Sequence, residues 1–147
     1  MGLSQNKTID YYNKNSAEFV SRTLDIDMSN IYPKFTSLLP SKGRILDAGC
    51  GSGRDSRYFL SQGFEVVSID ASEEMVKYAS NLTGQDALQM KFEDVPFENE
   101  FDGIWACASL LHIEKKHFVS NLNKLVNSLK GCGVVYISLK ESKGNVP

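Results

Sequence analysis

The feature that most constrains this chain is a run of three closely spaced glycines directly after a short apolar segment. The run reads Asp47-Ala-Gly-Cys-Gly-Ser-Gly53, and the preceding residues Ile45–Ala48 have the character of a buried strand. Glycine permits positive φ and lets the backbone come close to a ligand. Because Ser56–Ser61 has helical spacing, the pattern predicts a strand, a tight glycine turn and a helix.

Strand-like and helix-like segments alternate through the rest of the chain. The further predicted strands are Phe64–Ile69, Ala87–Phe92, Phe101–Cys107 and Val134–Leu139. The predicted helices between them are Ser72–Leu82 and Glu114–Lys130. Strands separated by helices pair in parallel through right-handed crossovers. We therefore expect an α/β fold with an open, doubly wound, mainly parallel sheet.

Length and composition limit the domain organisation and the partners. The 147 residues suffice for one domain, with residues 1–43 as an N-terminal cap of helices and 44–147 as the core. The net charge of −2 predicts no nucleic-acid partner, and the absence of an apolar run of roughly 18 residues predicts no membrane span. Three cysteines without a C-x-x-C pair favour the cytoplasm, and we assign no metal site.

Two acids distinguish the glycine turn from a dinucleotide-binding loop. Asp47 lies just inside the end of the first strand, where a carboxylate would repel a pyrophosphate and suit a cationic ligand such as S-adenosylmethionine. The third glycine also follows the second by two residues, unlike the G-x-G-x-x-G fingerprint. Asp70 ends the second strand, where a carboxylate can accept both ribose hydroxyls or serve only as the N-cap of the next helix. A dinucleotide-dependent oxidoreductase is thus disfavoured.

Four sequence blocks carry a resemblance to a known family. They are Ile45–Asp55, Val66–Met75, Phe101–His112 and Leu129–Val135. Through them the chain resembles the class I S-adenosylmethionine-dependent methyltransferases, and Gly53-Arg-Asp with the third block resembles the small tellurite-resistance-type branch. The resemblance implies a Rossmann-like sheet with strand order 3-2-1-4-5.

The cofactor-binding residues that the resemblance implies lie at or just beyond the ends of the first four strands. They are Asp47, Gly49, Gly51, Gly53, Asp70, Ala71, Met75, Phe92, Glu93 and Ala106. Asp70 would take the ribose hydroxyls, and Phe92 and Glu93 would flank the adenine. The chain departs from many relatives at Lys91, where an acid usually accepts from the adenine amino group, because lysine cannot accept a hydrogen bond.

No dedicated motif identifies a general base. His112 follows the fourth strand and is a candidate, or else a loop histidine satisfied locally. Tyr11 in the N-terminal cap is a second candidate, as part of a lid or as a core residue. Arg54 opposes the dipole of the helix that it begins, which suggests pairing with Asp55, Asp70 or the ligand.

The chain ends soon after the fifth predicted strand, whereas relatives usually continue with strands six and seven. A short natural product, a dissected fragment and a dimer that completes its own sheet all fit this ending. An open fifth-strand edge favours a homodimer.

Two functions fit these observations. The first is an S-adenosylmethionine-dependent methyltransferase that acts on a small molecule or a metalloid oxyanion. The alternative is a non-catalytic or truncated S-adenosylmethionine-binding module. The sequence does not identify the acceptor.

Overall fold

The computed structural model describes residues 28–107 and 115–138. Its helices in these ranges are α1 (Tyr32–Thr36), α2 (Arg54–Ser61), α3 (Glu73–Thr83) and α4 (Lys115–Asn127), with a short 3-10 helix at Phe92–Asp94. Its strands are β1 (Arg44–Ala48), β2 (Glu65–Asp70), β3 (Leu88–Gln89), β4 (Phe101–Cys107) and β5 (Leu129–Ser138).

The five strands form one parallel sheet with the order β3-β2-β1-β4-β5. In the central strand, Ile45 is paired with Val66 of β2 on one side and with Gly103 of β4 on the other. The chain leaves β1 toward one edge and later returns to start β4 beside it, so the order reverses at β1. The glycine turn begins at the end of this strand, at the switch point where ligands of such sheets bind. The predicted fold class and strand order are confirmed.

Both faces of the sheet are covered, because neighbouring residues of a strand point to opposite sides. One face packs an aromatic cluster whose buried members are Met28, Tyr32, Phe35, Ile45, Phe59, Val66 and Trp105. The other face packs a mainly aliphatic cluster of Leu46, Ala48, Ile69, Phe92, Val95, Phe101, Ile104, Ala106 and Leu125. Burial on both faces explains why the strands read as nearly continuous apolar runs.

The third strand is much shorter than predicted. We expected it over Ala87–Phe92, but β3 holds only Leu88 and Gln89, paired with the last two residues of β2. The chain then turns into the 3-10 helix, which carries Phe92 into the aliphatic cluster. Burial of that ring therefore takes precedence over continued strand pairing. On the side of β2 that faces β3, where β3 does not reach Val66, Gln85 Nε2 donates to the Val66 carbonyl over 2.7 Å.

The boundary between α4 and β5 also differs from the prediction. We expected the helix to run to Lys130 and the glycines at 131 and 133 to separate it from a strand beginning at Val134. Instead α4 ends at Asn127 and β5 begins at Leu129. Leu129 pairs with Phe101 and Val134 with Gly103, so an irregularity in the ladder absorbs the extra residues. The two glycines thus serve the strand rather than the turn.

Several predictions concern residues outside the described ranges. The cap helix that would carry Tyr11, the loop with His112 and the chain beyond Ser138 all lie there. The division into cap and core, and association through the β5 edge, therefore stay predictions. Among the helices that the structure describes, none is long and apolar enough to cross a bilayer.

Candidate functional site at the carboxyl edge of the sheet

The glycine turn adopts the backbone conformation that its sequence predicts. The φ angles of Gly49, Gly51 and Gly53 are 82°, 54° and 92°, in the left-handed region that side chains disfavour. Gly53 is also confined by α3, since a Cβ at this position would lie 2.9 Å from the Ala79 Cα atom. The third glycine therefore lets the start of α2 pack closely against α3.

Asp70 fixes the glycine turn to the end of β2. Its Oδ2 atom accepts a hydrogen bond from the Gly51 amide, and its Oδ1 atom accepts one from the Ser72 amide, both over 2.9 Å. Burial raises the pKa of Asp70, whereas these two backbone bonds act in the opposite direction. A carboxylate has about four acceptor positions, so two amide bonds leave room for ligand hydroxyls.

The structure also resolves whether Asp70 is merely a helix cap. The N-cap of α3 is Ser72, whose side chain accepts from the Met75 amide over 3.3 Å. Asp70 lies two residues earlier and supports this cap through the Ser72 amide. The N-cap interpretation of Asp70 is therefore wrong, and its bond to the glycine turn is the contact that sequence reasoning did not anticipate.

Asp47 occupies a more interior position than the sequence suggested. Its residue is only 1% exposed, and its Oδ2 atom accepts from the Ser56 hydroxyl over 2.6 Å. The Ser56 and Ser68 hydroxyl oxygens are also 2.6 Å apart, so the chain of contacts joins β1, α2 and β2. Burial and the nearby Asp55 charge raise the pKa of Asp47, although the bond from Ser56 opposes this shift. Asp47 thus holds α2 to the sheet beneath the glycine turn.

A third acid, Asp55, collects hydrogen bonds from three parts of the fold. Arg54 forms a two-pronged ion pair with it, with Nε 2.7 Å from Oδ1 and Nη2 3.0 Å from Oδ2. The Tyr32 hydroxyl donates to Oδ1 over 2.5 Å, and the Trp105 indole nitrogen donates to Oδ2 over 2.8 Å. Of the partners that the sequence suggested for Arg54, the structure shows Asp55. We name these four residues, Tyr32, Arg54, Asp55 and Trp105, the Asp55 cluster.

The Asp55 cluster lies on the same edge of the sheet as the glycine turn. Arg54 and Asp55 directly follow Gly53, and Arg54 Nη2 is 3.9 Å from Cys107 Sγ at the end of β4. Sequence reasoning missed Tyr32, because its partner lies 23 residues away. The sequence signal that pointed to this cluster was Asp55 itself, the acid that follows Arg54 in the first turn of α2.

The other predicted cofactor residues are distributed between the core and the surface. Met75 and Ala106 are almost fully buried, and Phe92 packs in the aliphatic cluster. Ala71 is partly exposed beside Asp70, and Glu93 is exposed on the 3-10 helix. Their roles toward a cofactor stay predictions. Within residues 28–107 and 115–138, no group of three or more His, Cys, Asp or Glu side chains could hold a metal ion.

Two proteins named as methyltransferases are similar to this chain in sequence. The Bacillus subtilis protein YqeM, named as a methyltransferase, is 32% identical over 111 residues, which cover 71% of this chain and 45% of that protein. An uncharacterized methyltransferase of Staphylococcus carnosus is 28% identical over 97 residues, covering 66% of this chain and 47% of the relative. The chain thus spans about half the length of these curated relatives.

Solved structures share the fold at low sequence identity. Magnesium protoporphyrin IX methyltransferase from Synechocystis, solved with bound S-adenosylmethionine, superposes with a TM-score of 0.69 at 19% identity, over 89% of this chain and 74% of that one. A TehB-like methyltransferase from Corynebacterium glutamicum has a TM-score of 0.66 at 21% identity, over 83% of this chain and 72% of that one.

A family model described as a methyltransferase domain matches residues 45–133, from the first residue of the apolar run in β1 through the glycines of β5. This match covers more than half of the chain and includes the glycine turn, Asp70 and the Asp55–Trp105 contact. The chain belongs to the methyltransferase domain family.

Proposed function

We propose that this chain binds S-adenosylmethionine at the carboxyl edge of its sheet and transfers the methyl group to a small molecule or a metalloid oxyanion. The observation that carries the proposal is the junction of Asp70 with the glycine turn. Asp70 reaches the Gly51 amide from the end of β2, so the acid and the turn form one rigid surface. A ribose-bearing ligand that lies across this surface meets a carboxylate for its hydroxyls and glycine backbone for its remaining length.

The charges at this edge suit the same ligand. Asp47, Asp55 and Asp70 lie near the turn, and Arg54 is paired with Asp55. S-adenosylmethionine carries a sulfonium in addition to its zwitterionic amino-acid group. Because Arg54 offsets the charge of Asp55 and burial favours the neutral form of Asp47, Asp70 is the acid that favours this ligand over a pyrophosphate. The bound cofactor supplies an activated methyl group. The protein then has to hold the acceptor in line with that group, and a general base matters only for a poorly nucleophilic acceptor.

The acceptor class rests on the resemblance of two segments to the tellurite-resistance-type branch. Those segments are Gly53-Arg-Asp55 and Ile104–His112. The cytoplasm fits the free thiols of Cys50, Cys107 and Cys132, which form no disulfide.

Calorimetry on the full chain tests the cofactor. We expect S-adenosylmethionine and S-adenosylhomocysteine to bind with dissociation constants between about 1 μM and 1 mM, and NAD to bind about 100-fold more weakly or not at all. The absence of binding by both sulfur ligands would contradict the proposal.

A panel of acceptors then tests turnover. It should include amines, thiols, carboxylic acids and metalloid oxyanions, with S-adenosylhomocysteine formation as the readout. Product with one acceptor class supports the enzyme and identifies its substrate. Binding of the cofactor without product from any of them would favour the binding-module alternative.

A further inference from the structure

The Asp55 cluster has the features of a device that orients a charged ligand group. Asp55 is 6% exposed, and its carboxylate is bonded by one guanidinium, one phenol and one indole. Burying a carboxylate is costly unless it is paired and hydrogen-bonded, and these three donors offset that cost for Asp55. The donors come from α1, α2 and β4, which therefore meet at a single acid.

The two neutral donors hold the ion pair in one orientation. Burial and the hydrogen bond to Asp55 raise the pKa of Tyr32, so its phenol keeps the proton that it donates. The Trp105 indole can only donate, and its ring is fixed by stacking on Tyr136 with the centroids 4.1 Å apart. The Tyr32 ring is likewise stacked on Tyr58 at 4.0 Å. Rigid aromatic donors thus determine where the carboxylate lies, and the planar fork of Arg54 follows it.

The position of the pair relates it to one part of the cofactor. Arg54 follows Gly53 directly, and its guanidinium extends to the end of β4 at Cys107. Asp70, which would take the ribose, lies on the other side of the turn at the end of β2. The amino-acid end of the cofactor, which lies beyond the ribose, would therefore point toward Arg54. This end carries a carboxylate, and the oriented guanidinium of Arg54 matches that carboxylate in charge.

We propose that Asp55 is a positioning residue that holds Arg54 to recognise the zwitterionic amino-acid end of the cofactor, with Tyr32 and Trp105 fixing the direction of the pair. The inference rests on the proposed function, since it concerns the same cofactor site. Tyr32 of α1 thus has a role in the cofactor site through its hydrogen bond to Asp55 and not through contact with the ligand.

The test compares two ligands that differ in this end alone. S-adenosylhomocysteine has the amino-acid group, and methylthioadenosine lacks it. Calorimetry with the full chain gives both dissociation constants for the unchanged protein, Asp55→Asn and Tyr32→Phe. Tyr58→Phe is the matched control, because it removes a phenolic hydroxyl from the ring that is stacked on Tyr32.

We expect Asp55→Asn to weaken S-adenosylhomocysteine about 30-fold and methylthioadenosine less than about twofold. Tyr32→Phe should weaken the former about fivefold, and Tyr58→Phe should change neither. If Asp55→Asn does not fold, Tyr32→Phe decides the matter alone.

Two outcomes would overturn the proposal. Parallel losses for both ligands would indicate a structural role only, and unchanged affinities would remove any role. Either result requires that the unchanged protein binds S-adenosylhomocysteine. If it binds neither that ligand nor S-adenosylmethionine, the proposed function fails as well, so the two failures are distinguishable.

Discussion

Asp47 and Asp70 stand near the ends of neighbouring strands on either side of one glycine turn, yet their surroundings differ. Asp47 is buried and bonded to the side chain of Ser56, whose hydroxyl also contacts Ser68. Asp70 is partly buried and bonded to two backbone amides, one of them in the turn. The first acid joins a helix to the sheet, and the second shapes the surface above it.

The difference shows that an acid at a strand end can hold the fold together, whereas the roles of both acids toward a cofactor stay predictions. Both acids were predicted to serve the cofactor from their positions at strand ends and from the family resemblance. The structure separates them by the depth at which they lie and by the partners that they bind. We therefore expect changes at Asp47 to affect mainly stability and changes at Asp70 to affect mainly affinity.

The largest expected loss of stability comes from a change in the glycine turn between the two acids. Gly53→Ala should lower the free energy of unfolding by about 3 kcal/mol, because a left-handed residue costs about 1 kcal/mol and the new Cβ would clash with Ala79. Gly63→Ala is the matched control, since Gly63 has the same φ of 92° with nothing within 4 Å of the added atom. It should cost about 1 kcal/mol. Equal losses in urea unfolding would show that the packing of α2 on α3 is unimportant.

Replacement of Asp70 tests the ligand side of the comparison. Asp70→Ala removes the acceptor for the ribose hydroxyls and releases the Gly51 amide. We expect S-adenosylhomocysteine to bind about 30-fold more weakly, which corresponds to about 2 kcal/mol. Asp86→Ala, at an exposed acid after α3, should leave the affinity unchanged. An Asp70 variant with full affinity in calorimetry would assign the ribose to other residues.

The pH dependence of stability tests the buried side. Burial and the Asp55 charge raise the pKa of Asp47, so the folded protein holds a proton there that the unfolded chain releases. The stabilisation is present below the ordinary carboxyl pKa of 3.8 and is lost as the pH rises above it. Asp47→Asn removes this titration. The decline in stability from about pH 4 to pH 7 should therefore be smaller in the variant by more than about 1 kcal/mol.

The comparison with Asp70 is controlled within this experiment. Asp70, whose pKa is also raised, titrates in both proteins, so the difference between their curves belongs to Asp47. Parallel curves in denaturant titrations across this pH range would contradict the interior position of Asp47.

The smallest effect is expected at the far end of the serine chain. Ser68→Ala removes the hydroxyl that contacts Ser56 and should cost about 1 kcal/mol of unfolding free energy. S-adenosylhomocysteine affinity should stay within about twofold, because the bonds of Asp70 are intact. A larger loss of affinity than of stability would mean that the Asp47 side also shapes the ligand surface.

Much of the fold was predictable because its signals are local. The glycine turn and the buried runs of β1, β2 and β4 specified the strands and the switch point, and the family resemblance supplied their order. The errors fell where a distant contact decides the conformation. β3 ends early because Phe92 is buried in the aliphatic cluster, and β5 begins early because Leu129 pairs with Phe101 across the sheet.

The site was predictable in its residue types and less so in its geometry. The turn and Asp70 could be placed from spacing alone. The Asp55 cluster could not, because Tyr32 and Trp105 lie 23 and 50 residues from the acid that they share. In the sequence alone, a phenol in a short helix and an indole within a strand both suggest packing. Only the folded structure shows that they donate to the same carboxylate.

Trp105 has a consequence for how this molecule can be observed. It is the single tryptophan of the chain, it is fully buried, and its indole nitrogen donates to the cluster acid. Its fluorescence therefore comes from one known place, on the sheet below the mouth of the site. An emission shift on titration with nucleoside ligands would give a label-free signal of events at Asp55, and an exposed indole would mark unfolding in the same spectrum.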